Sequence, residues 1–307
     1  MDAEVVATYG RHLLLRDLNG NIRKARPQSR HLEIACGDRV EYREAGTETL
    51  VTSIRPRETL LRRTSLRARS EVLAANLTQL AVVLAPLPEP DLFVLDRFLC
   101  AAECAGLATL IVHNKQELAG GAQFAATLAP YATLGYPVCG ISAALARDDP
   151  AALAPLRAAL NGHTTILVGQ SGVGKSSITR LLTSDPAEIA IGALIKDDEG
   201  RHTTTASRLF ECDGGGRIVD SPGVRDFAPA IDDLEASTLG FREVARLAQE
   251  CRFTDCSHMQ EPYCAVRAAV ESGLMDPRRY ESYRRLRRLY DQLWEKRPAG
   301  ERAARRN

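Results

Sequence analysis

Thr165-Ile166-Leu167-Val168-Gly169-Gln170-Ser171-Gly172-Val173-Gly174-Lys175-Ser176 decides how the rest of the chain is read. A short β-branched and apolar run predicts a buried strand. The next eight residues satisfy G-x-x-x-x-G-K-[ST] at every fixed position. Ser177-Ile178-Thr179-Arg180-Leu181-Leu182 then opens a helix. Strand, glycine loop and helix in that order make an anion cradle. Glycines let successive backbone N–H groups turn inward, and the helix N-terminus adds partial positive charge. Gly169, Gln170, Ser171, Gly172, Val173, Gly174, Lys175, Ser176 and Ser177 are therefore candidate phosphate-binding residues. Lys175 is placed to reach the β- and γ-phosphates, and the Ser176 hydroxyl to ligate Mg²⁺.

Two stretches downstream fit the same site. Asp220-Ser221-Pro222-Gly223 follows the apolar run Arg217-Ile218-Val219. Asp220 suits the Mg²⁺ side, and the Gly223 N–H suits the γ-phosphate. Between them lies Gly200-Arg201-His202-Thr203-Thr204-Thr205, where Thr204 or a neighbour can sense the γ-phosphate as a switch. A triple threonine can also simply begin a strand.

Upstream, Ala108-Thr109-Leu110-Ile111-Val112 leads to Asn114-Lys115-Gln116-Glu117. That is close to N-K-x-D, whose carboxylate hydrogen-bonds the guanine N1–H and amine. Gly140-Ile141-Ser142-Ala143 resembles the loop whose backbone supports guanine O6, with Ser142 and Ala143 as candidates. Base motif, S-A loop, phosphate loop and the two switches thus run in circularly permuted order. A parallel sheet accepts that order, because strands pair by adjacency in space. Glu117 carries one methylene more than the usual aspartate, so guanine selectivity is expected to persist but weaken.

Cys251, Cys256, His258 and Cys264 lie within fourteen residues. Three thiols and one imidazole complete a closed tetrahedral shell of the structural zinc type. The other cysteines are scattered. Cys100 and Cys104 share a helix face in an apolar setting and read as core.

Domains follow from texture. Residues 1–70 carry turn signals at Asn19-Gly20, Cys36-Gly37-Asp38 and Glu44-Ala45-Gly46 between short, partly alternating runs such as Glu4 to Thr8 and Arg39 to Tyr42. That predicts a small antiparallel barrel or sandwich, with helix the weaker alternative. Residues 71–230 alternate apolar strands with helices, predicted near Leu92 to Ala105 and Gln116 to Leu128, as in a mainly parallel α/β sheet. Residues 231–307 read as helical and cysteine-bearing with a basic tail.

The net charge is +1. Six arginines against one glutamate between Arg55 and Arg69, and eleven Lys/Arg against four acids from Pro277 onward, point to a polyanionic partner such as nucleic acid. A solvated helix face is the plainer reading of the second run. No apolar run has bilayer length and no signal-peptide pattern opens the chain, so a cytoplasmic protein without membrane attachment is expected. A nucleotide-binding RNA module with negligible turnover is one alternative. A metabolic P-loop kinase is another, though it leaves the base motif unexplained.

With the permuted motifs and C-x₄-C-x-H-x₅-C in one chain, the sequence resembles the bacterial small-subunit-dependent ribosomal GTPase A family (RsgA, also called YjeQ). The resemblance spans nearly the whole chain, including Asp255-Cys256-Ser257-His258 and Glu261-Pro262-Tyr263-Cys264-Ala265-Val266. It implies an OB-fold at residues 1–70, a permuted GTPase domain and a helical zinc-binding domain. It also implies GTP and GDP as ligands with Mg²⁺, one Zn²⁺, the 30S subunit and its 16S rRNA as partners, and a monomer. Hydrolysis in late 30S maturation, stimulated by the subunit, is the implied activity. Val224 occupies the position of the usual catalytic glutamine, and the resemblance assigns water positioning to His202, with Arg201 assisting. Glu117 and Tyr263 depart from the family's usual Asp and Gly. The second departure is expected to alter only a turn.

Overall fold

The computed structural model describes residues 1–64, 70–183, 207–221 and 233–296. Two compact units emerge. One comprises residues 1–61, 72–90 and 107–226, and the other residues 62–71, 91–106 and 227–307.

In the first unit, β1 (Asp2–Tyr9), β2 (His12–Asp17), β3 (Ile22–Pro27), β4 (Arg39–Ala45) and β5 (Glu48–Ile54) run in the order β1-β2-β3-β5-β4. Pairing of Ala3 with Val40 joins β4 back to β1 and closes a five-stranded barrel. The β3–β5 pair is parallel and the others antiparallel. Alternating residues Val5, Leu13, Leu15, Ala25, Val40 and Val51 fill its interior. Each predicted turn carries its glycine at positive φ. Gly37 is the most constrained: a Cβ there would lie 2.2 Å from the Ala75 carbonyl oxygen. A separate two-stranded sheet pairs β6 (Leu60–Thr64) with β7 (Ser70–Ala75).

The rest of the first unit is α/β. Its strands are β8 (Gln79–Leu84), β9 (Ala108–His113), β10 (Val138–Gly140), β11 (Thr164–Val168), β12 (Ser207–Glu211) and β13 (Arg217–Asp220), in the order β10-β9-β8-β11-β13-β12. All pairs from β10 to β13 are parallel, and only β12 runs against its neighbour. Every residue of β8 and β11 is buried, as strands covered on both faces should be. Leu110, Val112, Leu167 and Ile218 share one core with Leu156 and Leu160 of α3 (Ala154–Leu160) and with Ile178 and Leu182 of α4 (Lys175–Leu182). The barrel continues this sheet edge to edge, because Ala7 of β1 pairs with Arg208 of β12.

Helix α1 (Leu92–Cys104) forms where expected, capped by Asp91. The helix predicted from Gln116 instead begins at Gly121, as α2 (Gly121–Thr133). The intervening residues make turns, with Leu118 N–H bonding the Lys115 carbonyl and Gly121 N–H bonding that of Leu118. Gly121 approaches the Gln116 carbonyl so closely that a Cβ would sit 2.4 Å from its oxygen.

The second unit combines α1 with α5 (Arg242–Ala248), α6 (Ala265–Glu271) and α7 (Pro277–Glu295). Cys100, Phe241, Val244, Val266, Tyr283 and Leu286 form its core, with Cys104 partly buried against it. At its centre the wholly buried Arg279 of α7 bonds Asp96 of α1 at 2.5 Å and Glu243 of α5 at 2.7 and 2.9 Å. One cation thereby ties three helices, and removing it would leave two buried carboxylates uncompensated.

Candidate functional sites

The phosphate loop leaves the end of β11 and enters α4, so its N–H groups gather at the carboxyl edge of the parallel sheet. Gly169 has φ 137° and Gly174, which caps α4, has φ 104°. A Cβ on Gly169 would meet the Val83 carbonyl oxygen at 2.2 Å, so conformation and space both demand glycine. Lys175 Nζ donates to the Gly169 and Gln170 carbonyls at 2.6 and 2.7 Å, which holds the ammonium over the loop. Ser176 is exposed at the first turn of the helix, and Ser177 is half-buried.

Asn114 follows β9, two strands from β11, yet it touches the same loop. Its Nδ2 donates to the Val173 carbonyl at 2.8 Å, and its Oδ1 accepts from the Ala143 N–H at 3.0 Å. A Cβ on Gly174 would lie 2.3 Å from Asn114 Nδ2. Asn114 is 1% exposed, so its amide braces the phosphate loop to the S-A loop. Lys115, at φ 61°, sends Nζ to the Gly172 carbonyl at 2.7 Å and to that of Leu87 at 3.0 Å. Gln116 N–H bonds the Ile141 carbonyl, and the Gln116 side chain lies against Gly140. Ser142 and Ala143 are buried, whereas Glu117 is exposed. His113, at the end of β9, is buried edge-on to Phe124, and burial holds its pKa below the ordinary value.

Asp220 ends β13, the strand beside β11. Three stretches of distant sequence thus meet at one sheet edge. His202, Thr204 and Gly223 lie outside the described residues. The braces from Leu87 and Pro88 to Lys115 and Gly172 had no signal in the sequence beyond the end of an apolar strand.

In the second unit, Cys251, Cys256, His258 and Cys264 offer ligand atoms that all lie within 4.8 Å of one another. His258 Nδ1 is 3.5 Å from both Cys251 Sγ and Cys264 Sγ, and those sulfurs are 4.0 Å apart. Ideal tetrahedral zinc gives edges of about 3.5 Å for S···N and about 3.8 Å for S···S. The donor set and its spacing therefore fit one Zn²⁺, with no position left open for substrate. Burial raises the Cys264 thiol pKa and pushes that of Cys256 up to about 12. A cation would reverse this by binding the thiolates.

The loop is braced from within. Burial would raise the Glu261 carboxyl, but bonds from the Ser257 hydroxyl and from the Ser257, Met259 and Gln260 N–H groups hold it at about 2. From α7, the hydroxyls of Tyr280 and Tyr283 donate to the His258 and Ser257 carbonyls at 2.7 Å. Tyr263 has φ 58°, a left-handed backbone conformation that favours glycine and is rare for a bulky residue.

The arginine-rich stretches are largely paired. Arg55 meets Asp2 and Glu41, Arg57 meets Asp38, Arg62 meets Asp233 and Arg63 meets Glu71. On α7, Arg284, Arg285 and Arg288 surround Glu281, and Arg287 meets Asp291. No helix among the described residues is long and apolar enough to cross a membrane.

Comparison with known proteins agrees with this geometry. The family model described as RsgA GTPase matches residues 54–229. The chain belongs to the RsgA GTPase family. It is 39% identical over 282 residues to the small ribosomal subunit biogenesis GTPase RsgA of Neisseria meningitidis serogroup C, covering 90% of this chain and 88% of that one. The RsgA of Azotobacter vinelandii is also 39% identical, over 88% of this chain and 79% of its own. Among solved structures, YjeQ from Thermotoga maritima superposes with a TM-score of 0.68 at 26% identity, covering 95% of this chain and 98% of that one. YloQ, described as a circularly permuted GTPase, shares the fold with a TM-score of 0.68 at 24% identity, over 97% of this chain and 96% of its own. As an RsgA GTPase, the chain is a GTP hydrolase.

Proposed function

We propose that this RsgA GTPase hydrolyses GTP during late maturation of the small ribosomal subunit and is stimulated by that subunit. The observation that carries the nucleotide part is the Asn114 brace, which joins the base-motif strand, the S-A loop and the phosphate loop. The names of the RsgA relatives support the ribosomal part.

In this reading residues 1–70 are an OB-fold, in keeping with the closed order β1-β2-β3-β5-β4, and they contact 16S rRNA. Residues 71–230 hold the nucleotide, and residues 231–307 form the zinc-binding part of a monomer. Lys175 and the loop N–H groups take the β- and γ-phosphates. Mg²⁺, when bound, neutralises developing phosphate charge; hydroxyl and carboxylate oxygens from Ser176, Thr204 and Asp220 suit it. Gly223 senses the γ-phosphate, Ser142 and Ala143 support guanine O6, and Glu117 accepts from the base edge with Lys115 alongside. Val224 cannot orient water, so His202 does. Zn²⁺ would be held by Cys251, Cys256, His258 and Cys264 in a structural role.

The test is multiple-turnover phosphate release with and without purified small subunits, for the wild type and His202→Ala. Stimulation in the wild type and loss of turnover in His202→Ala, with GTP binding kept, are expected. Equal turnover in the two would remove His202 from the mechanism, and no response to subunits would remove the ribosomal assignment.

A further inference from the structure

On the zinc-binding loop, Arg252 lies between two aromatic rings. Its guanidinium carbon is 5.1 Å from the Tyr263 ring centre and 5.9 Å from that of Phe253. Tyr263 is 73% exposed and Phe253 41%. Arg252 is exposed too, and among the described residues it makes no ion pair or hydrogen bond. That sets it apart from the arginines of α7, each of which meets a carboxylate.

The arrangement runs against stability. Tyr263 occupies left-handed backbone at φ 58°, which costs a bulky side chain conformational energy. Its exposed ring recovers little burial in return. A loop that tolerates this strain keeps an open aromatic face beside a cation with free donors. The Cys251 and Cys264 ligands, which neighbour Arg252 and Tyr263, hold both ends of the stack in place.

We infer that Tyr263, Arg252 and Phe253 form a stacking platform for an unpaired RNA base, with the Arg252 donors on the adjoining phosphate or base edge. Unpaired bases stack on aromatic and guanidinium planes with little demand on sequence. A free guanidinium beside the rings fits a polyanion, whereas a purely apolar patch would fit a protein. The inference deepens the ribosomal reading of the previous subsection and rests on it for the source of the RNA.

The probe is a single-stranded oligoribonucleotide, compared with the same backbone carrying abasic sites, titrated into the zinc-loaded full chain by fluorescence anisotropy. The wild type is expected to bind the base-bearing strand about tenfold more tightly. Tyr263→Gly should erase that difference and Tyr263→Phe preserve it. Tyr263→Gly relieves strain, so its melting temperature and basal GTP hydrolysis should hold. A wild type that does not distinguish the two strands, or a Tyr263→Gly chain that still does, overturns the platform. Small subunits provide the second arm. With the platform in place, Tyr263→Gly weakens their binding and ultraviolet cross-links from Tyr263 reach rRNA. Cross-links to ribosomal protein alone would overturn it. Oligonucleotide discrimination without any subunit binding would keep the platform and sink only the ribosomal assignment.

Discussion

The nucleotide edge and the cysteine–histidine loop are built in opposite ways. The nucleotide edge draws on β8, β9, β11 and β13, and its pieces are held by single bonds between residues far apart in sequence, such as Asn114 to Val173. The cysteine–histidine loop gathers four potential metal ligands from fourteen residues. The first can survive a reordering of the chain, because adjacency in the sheet does not depend on sequence order. The second cannot, because its geometry is its spacing. One site should therefore fail gradually and locally, and the other as a unit.

Removing the metal should give the largest effect. Structural zinc contributes about 10 kcal/mol or more to folding of small domains. Chelation of the full chain, or Cys256→Ser, is expected to abolish the protection of residues 233–296 against limited proteolysis. The nucleotide edge should keep its GTP affinity. Residues 233–296 that stay protected without metal would show that the helical core, Arg279 and its two carboxylates suffice.

A smaller effect is expected at Asn114. Asn114→Ala leaves the Ala143 N–H and the Val173 carbonyl without their buried partner, at about 1–3 kcal/mol for each unsatisfied group. GTP affinity measured by titration should fall by about tenfold or more, with zinc content unchanged. An affinity equal to the wild type's would mean that the loops are placed by their strands alone and that the brace is incidental.

These sites also differ in how far they could be read beforehand. Gly169 to Ser176 and the four clustered Cys and His residues declare themselves because the chemistry they suit demands fixed residue types at short, fixed spacing. The barrel turns were legible for the same reason, since Gly20, Gly37 and Gly46 adopt conformations that favour glycine. The parallel strands β8, β9 and β11 followed from unbroken apolar runs. The start of α2 was missed because the turn from Lys115 to Gly121 exists to bring Gln116 against Gly140, a tertiary demand with no local signature. Asn114 was legible as part of a base motif but not as a brace, and the Arg279 cluster not at all. Pairing partners separated by more than a hundred residues, such as Arg279 and Asp96, leave no trace in local pattern. The basic runs promised free positive charge, yet most of their described arginines meet acids. Exposed pairs of this kind are weak, at about 0–1 kcal/mol, so phosphates can still compete for them.

The smallest effect concerns pH at the nucleotide edge. Burial keeps the folded-state pKa of His113 below its ordinary 6.5. The unfolded chain then takes up the proton first as pH falls through about 6.5, so stability is full above that value and declines below it. His113→Phe should flatten the part of the melting-temperature drop between about pH 7.5 and pH 5.5 that His113 contributes. An identical drop in both proteins would place the acid sensitivity elsewhere, the metal loop being the first alternative.

The central claim is that reordered stretches of chain converge on one guanosine triphosphate, and competition binding of GTP against ATP addresses it most directly. Lys175→Ala should weaken both nucleotides alike, because it acts on phosphate. Glu117→Ala should weaken GTP and leave ATP unchanged, because it acts on the base. A wild type that binds GTP and ATP equally, or a Glu117→Ala chain with undiminished preference for GTP, would contradict the account.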